Sequence, residues 1–187
     1  MWSSKKFLII SLMIISALVG VGIGYGMTPE YQKMMYNKNE MGLGEADYWL
    51  DLRYIDEMIA HHRGAIMLAE KTLDKTQKPE IKALAQDIIK NEPIAIDELY
   101  KWKKDWYGNT KKVSDPTVAN LGENDETFDL RFLNALIFHH KTGIMMTEEV
   151  RLKSSRSEIL NNADAVQNFL DGSLKTLTDW RLEWYKI

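Results

Sequence analysis

A chain of 187 residues with 24 basic and 27 acidic side chains, a formal charge of −3 and an apolar fraction of 45% suits one folded domain with an appendage. It lacks the basic stripe that a nucleic-acid partner requires. Cysteine is absent, which excludes disulfides, thiolate nucleophiles and zinc–thiolate clusters and leaves histidine, carboxylate and thioether for any metal chemistry.

Lys5 and Lys6 precede an uncharged, apolar run over residues 7–25. At ~1.5 Å per residue the run approaches the ~30 Å hydrocarbon core of a bilayer, and it exceeds the about 7–15 apolar residues of a signal-peptide core. Residues 1–26 read as a membrane anchor or signal segment. With both lysines on the cytoplasmic side, the rest of the chain lies outside, at the cell surface or in the periplasm, and is secreted if the segment is cleaved. Residues 27–46 read as a linker holding Met27, Met34, Met35 and Met41. Such thioethers serve as flexible apolar filler or contact soft metals.

From there on the chain repeats itself. Asp51-Leu52-Arg53 returns as Asp129-Leu130-Arg131, His61-His62 as His139-His140, Ile66-Met67 as Ile144-Met145, and Glu70 as Glu148, all 78 residues later. Trp102, Trp106 and Tyr107 return as Trp180, Trp184 and Tyr185 at the same offset. A shared offset across separate landmarks marks an internal duplication, with repeats over residues 47–108 and 125–187 of a domain spanning 47–187.

Each repeat reads as a helical hairpin. Leu52, Ile55, Ile59, His62, Ile66, Ala69 and Leu73 recur at spacings of three and four, the pattern of a buried helical stripe. Pro79 suits a first helical residue after a turn at residues 76–78, and the return helix, carrying Ile81, Leu84, Ile88, Ile96 and Leu99, runs to about Trp106 before Gly108. Pro93 predicts a kink within it. In the second repeat Asn124 or Asp125 is placed to cap a helix running to about Ser154, and Ser155 with Glu158 fits a capping box for the last helix. The predicted fold is all-α: a four-helix bundle of two repeated hairpins behind an N-terminal membrane helix. The link of about eighteen residues between the hairpins spans up to ~60 Å, and a helix of about 28 residues is ~42 Å long, so a ferritin-like crossover and a plain up-down bundle are both open.

The four histidines of the chain are the two pairs His61-His62 and His139-His140. Neighbours on a helix lie about 100° apart, so one pair cannot grip an ion as i, i+4 residues do, and ligands must be shared between hairpins. His62 and His140 fall on the apolar seam, His61 and His139 on the adjoining stripe. Related by a pseudo-twofold, up to four imidazoles and the thioethers of Met58 and Met146 converge near mid-bundle. Imidazole and thioether, with Glu57 as the one nearby carboxylate, suit copper better than calcium, magnesium or manganese; zinc through histidine alone fits less well. The plainer reading makes the imidazoles hydrogen-bonded core side chains in a bundle that binds another envelope protein. Enzyme signatures are missing: no Glu-x-x-His stands at the histidines, and no nucleophile triad or phosphate loop is evident. The tryptophan–tyrosine pairs read as plugs at the ends of the bundle.

The stretch of residues 54–66, its counterpart from Phe132 to Met146 and the tryptophan–tyrosine ends resemble the bacterial "domain of unknown function 305" family of the ferritin-like superfamily, over about residues 47–187. The resemblance implies a secreted or anchored duplication of a helical hairpin, with copper binding and tolerance associated with some members. It also implies that His61, His62, His139 and His140 occupy the family's HH positions, Met58 the methionine before them and Met146 the one after. Leu136 and Leu68 stand where the family usually has methionine, Ala95 and Ser173 where its return helix often bears glutamate. The resulting expectation is an extracytoplasmic protein that sequesters or transfers copper without catalysing a reaction, with a metal-dependent redox enzyme as the lesser alternative.

Overall fold

The computed structural model describes residues 42–187, so the expected anchor and the methionines of the linker lie outside the described residues. Four helices follow one another: α1 Leu50–Leu73, α2 Pro79–Tyr107, α3 Phe128–Lys153 and α4 Ser157–Tyr185. Among the described residues no helix is long and apolar enough to cross a membrane. Short turns join α1 to α2 and α3 to α4, and residues 108–127 link the hairpins.

Local chemistry sets the helix ends, in part differently from the sequence expectation. Pro79 opens α2, and Gly108, left-handed at φ 60°, closes it while donating its N–H to the Lys104 carbonyl. The helix continues through Pro93, which has no N–H to offer the preceding turn. No capping box forms at α4: Arg156 occupies the cap position in extended backbone, and Ser157 Oγ meets the Glu158 carboxylate instead. Asp125 does not cap α3 either. Its carboxylate accepts from the Thr127 N–H in an Asx turn, and the helix begins at Phe128.

That turn belongs to a device that extends the duplication beyond the boundaries read from the sequence. Arg131 donates to the carbonyls of Leu121 and Glu123 and pairs with Asp125. Arg53 does the same to Leu43, Glu45 and Asp47. Gly44 and Gly122 supply the positive φ each clamp needs, at 75° and 68°. The repeats therefore start at Leu43 and Leu121, in the matching stretches Leu43-Gly44-Glu45-Ala46-Asp47 and Leu121-Gly122-Glu123-Asn124-Asp125.

The link crosses the full length of the bundle. Asp51, at the start of α1, bonds Ser154 and Arg156 beyond the end of α3, so α1 and α3 run antiparallel. Between its ends the link passes mid-α1, where Asp115 pairs with Arg63 and Pro116 lies against Gly64. Phe128 then emerges at the far end, under Lys75 of the first hairpin. This is the ferritin-like alternative, with α1 and α3 at the centre and α2 and α4 outside, each packed mainly on its own hairpin partner.

Two apolar cores result, each built from both hairpins. One holds Leu50, Tyr54, Ile55, Met58 and Ile59 with Val150, Ile159 and Ala163. The other holds Leu68, Ala69, Ile81 and Ala85 with Phe128, Phe132, Leu136 and Leu177. The stacked pairs Trp102/Trp106 and Trp180/Trp184 close the two ends. Arg156 lies 4.2 Å from the Trp106 ring centroid and Lys78, its equivalent, 4.3 Å from that of Trp184.

Candidate metal centre

Between the two cores, where α1 crosses α3, lies a layer of histidine. The rings of His61 and His139 stack with centroids 3.8 Å apart, and each bonds across the crossing: His61 Nε2 donates to the His139 carbonyl at 3.0 Å, His139 Nε2 to the His61 carbonyl at 2.9 Å. A carbonyl only accepts, so both rings carry their proton on Nε2 and keep the lone pair on Nδ1. Helix spacing turns the second member of each pair toward its own return helix. His62 Nδ1 donates to the Glu92 carboxylate on α2, and His140 Nε2 bonds Ser173 Oγ on α4 at 2.8 Å. Each of the four rings thus has one buried nitrogen without a hydrogen-bond partner: Nδ1 of His61, Nε2 of His62, Nδ1 of His139 and Nδ1 of His140.

All four histidines line one cavity of about 460 Å³ that opens between α2 and α4. Burial favours the neutral ring. It holds His61 well below the usual imidazole range, helped by the neighbouring His139, and it pushes His139 down to about 3. His140 is pushed down to about 4 by burial, against the opposing pull of the Glu92 carboxylate and the nearby Leu136 carbonyl. These three rings are neutral at physiological pH, the state in which imidazole binds metal.

The room for this layer comes from glycine. A Cβ on Gly143 would lie 2.6 Å from both His61 Nε2 and Leu170 Cδ1, whereas one on Gly64 would lie 3.3 Å from His139 Nε2.

The expected convergence of the four imidazoles is therefore present as one layer, its inner pair stacked and its outer pair turned to the flanks. Met58 and Met146 do not line the cavity. Met58 is fully buried in the core at the Leu50 end, and Met146 packs against that same core, so both thioethers lie on one side of the histidine layer. Their repeat equivalents, Leu136 and Leu68, fill the other side. Glu57 is exposed; the carboxylate bonded to a histidine is Glu92, which the sequence alone did not single out. Its signal was the apolar stripe of α2, where Ile88 and Ile96 leave a gap that residue 92 fills at helical spacing. Among the described residues, no three histidine, aspartate or glutamate side chains converge tightly enough to hold a metal ion as they stand.

The model of the family described as Domain of unknown function (DUF305) matches residues 51–126, the first hairpin and the link. The match agrees with the family expected from the sequence. The duplicated hairpin of residues 127–187 follows the matched stretch. Among solved structures, the chain is similar to CopM in the Cu(I)-bound form, with 28% identity and a TM-score of 0.65 over 72% of this chain and 97% of CopM. It is equally similar to apo CopM, at 29% identity and a TM-score of 0.64 over 72% and 98%, and to CopM in the Cu(II)-bound form, at 26% and 0.64 over 72% and 97%. No curated protein matches the chain.

Proposed function

We propose that this protein binds copper at the histidine layer and sequesters it or hands it on without turnover, held outside the cytoplasm by residues 1–26. The observation that carries the proposal is the orientation of the rings. Metal-binding histidines characteristically donate their other N–H to a carboxylate or a backbone carbonyl, which leaves the opposite lone pair for the ion. His61 and His139 do so to carbonyls and His62 to Glu92. The thioethers of Met58 and Met146 flank the layer on one side, and a soft ligand pair next to neutral imidazole suits Cu(I). The likeness to CopM, solved with Cu(I), Cu(II) and silver, supports the same cargo. Because the unpartnered nitrogens are buried, loading requires small ring movements into the cavity.

A chelator-competition titration of the full-length protein with Cu(I) tests this. Wild type is expected to take copper from the chelator, and the H61A/H62A/H139A/H140A variant to leave it there. The H62A/H140A variant, which keeps the stacked pair that ties α1 to α3, separates loss of ligands from loss of fold. Equal binding by wild type and both variants, or by none, would sink the proposal. One observation favours the second reading, a bundle with structural histidines that binds an envelope protein: the reciprocal bonds of His61 and His139 satisfy Nε2 on each ring. On that reading H61A and H139A lower stability, and no variant changes copper uptake.

A further inference from the structure

The duplication supplies an internal control for the surface, and one corner fails it. The turn before α1 and the turn before α3 have the same geometry: the Trp49 and Thr127 N–H groups donate to Asp47 and Asp125, each at 2.9 Å. The side chains they present differ. The first corner carries Tyr48 and Trp49, 68% and 51% exposed, where the second carries Glu126 and Thr127. Tyr48 and Trp49 pack edge to face at 4.7 Å, and Tyr107 joins them at 5.6 Å from Tyr48. A fold that forms this turn equally well with glutamate and threonine has no need of two exposed rings. Among the described residues the remaining exposed large aromatic is Phe169, which rims the cavity at mid-bundle; the opposite end exposes the aliphatic Leu182 and Ile187.

The chain outside the described residues says what covers the corner. Residues 42–45 are pinned at the same end, through the Leu43 N–H on Glu149 at 2.9 Å and Lys153 Nζ on the Gly44 carbonyl at 2.6 Å. Residues 26–41 separate that point from the apolar run ending at Tyr25, a span of at most about 55 Å fully extended. On the anchored reading of residues 1–26, the aromatic corner is the end of the bundle at which the tether attaches. Tyrosine and tryptophan are the side chains that settle at a membrane–water interface, with the ring in the headgroup region and the polar tip in water. Two acids beside them are paired, Asp47 with Arg53 and Asp51 with Arg156, which limits repulsion from the surface.

We infer that Tyr48, Trp49 and Tyr107 form a lipid-interface contact that seats the Leu50 end of the bundle on the membrane holding residues 1–26. The inference rests on the anchored reading of that segment. In this pose the bundle stands on its Leu50 end, and the mouth between α2 and α4, at mid-bundle, stays clear of the bilayer.

Because the chain has no cysteine, A46C and N124C each give one labelling site, at equivalent exposed positions of the two corners. Full-length protein labelled with an environment-sensitive dye is reconstituted into phosphatidylcholine vesicles containing headgroup spin-labelled lipid, and flotation is measured alongside. The expected result is strong quenching at position 46, none at 124, and loss of the quenching at 46 in Y48E/W49T, which installs the residues of the other corner and still floats with the vesicles. Equal quenching at 46 and 124, or quenching at 46 that survives Y48E/W49T, overturns the contact while leaving the anchor intact. Failure of wild type to float overturns the anchor itself and the contact with it.

Discussion

His139 shows at the residue scale how burial turns a common side chain into a pH-sensitive one. In the folded protein its ring protonates at about 3 and that of His140 at about 4, both below the value near 6.5 of a solvated imidazole, and His61 is displaced in the same direction. A depressed histidine contributes stability that is complete above the unfolded value and is lost as pH falls through the folded ones. Unfolding free energy measured in urea is therefore expected to fall between about pH 6.5 and 4, by up to ~1.4 kcal/mol per pH unit for each such ring. The H139Q/H140Q variant is expected to show a shallower slope over this window; an unchanged slope would contradict the burial of these rings. Gly143 gives a second test. G143A forces a methyl group into His61 and Leu170 and is expected to cost about 1–3 kcal/mol despite the better helix propensity of alanine. G64A meets His139 Nε2 at 3.3 Å and Pro116 Cγ at 3.5 Å, a milder crowding that the propensity gain partly offsets, and it is expected to cost less than G143A in the same thermal melts. The pairs themselves were legible in the sequence because a dipeptide recurring at a fixed offset is conspicuous. The stacking and the exchange of Nε2–carbonyl bonds were not, since they depend on where α1 crosses α3.

At the scale of elements, the helices were legible and their ends less so. Apolar spacing and Pro79 marked α1 and α2 well, whereas the cap side chains expected at Asp125 and Ser155 compete with Asx turns and neighbouring carboxylates that only the folded backbone decides. The arginine clamps escaped notice for a related reason. Leu43-Gly44-Glu45 and Leu121-Gly122-Glu123 are short, and an arginine reaching back ten residues to two carbonyls leaves no periodic trace. Their energetic role can be measured. Arg131, whose side chain is 10% exposed, satisfies two backbone carbonyls and one carboxylate. R131A is expected to cost about 2 kcal/mol in equilibrium unfolding, and R53A less, since Arg53 is 35% exposed. The reverse order would mean that the clamps do not hold the turns that open the repeats.

The whole molecule is a duplication in which neither copy is self-sufficient. Each core draws side chains from both hairpins, and the histidine layer forms only where α1 meets α3. A fragment of residues 42–108 alone is expected to lack cooperative unfolding and dispersed amide resonances; a folded monomeric fragment would contradict the shared cores. The crossover was half legible, because the length of the link permitted it without requiring it. Part of the divergence between copies was legible, since Leu136 and Leu68 answer Met58 and Met146 in the repeat and Ser173 answers Ala95; that Leu170 answers Glu92, and that both methionines lie on one side of the layer, emerged only in the fold. The two halves of the cavity therefore differ in chemistry, the first with a carboxylate and the second with a hydroxyl.

The direct test of the central claim is the nitrogen-15 spectrum of the histidine side chains of the full-length protein, recorded before and after one equivalent of Ag(I), a redox-silent stand-in for Cu(I). Before metal, His61 and His139 are expected as neutral Nε2–H tautomers. On addition, ring nitrogens among Nδ1 of His61, Nε2 of His62, Nδ1 of His139 and Nδ1 of His140 are expected to show coordination shifts. Spectra in which all four rings are unmoved by the metal would contradict a metal centre in this layer.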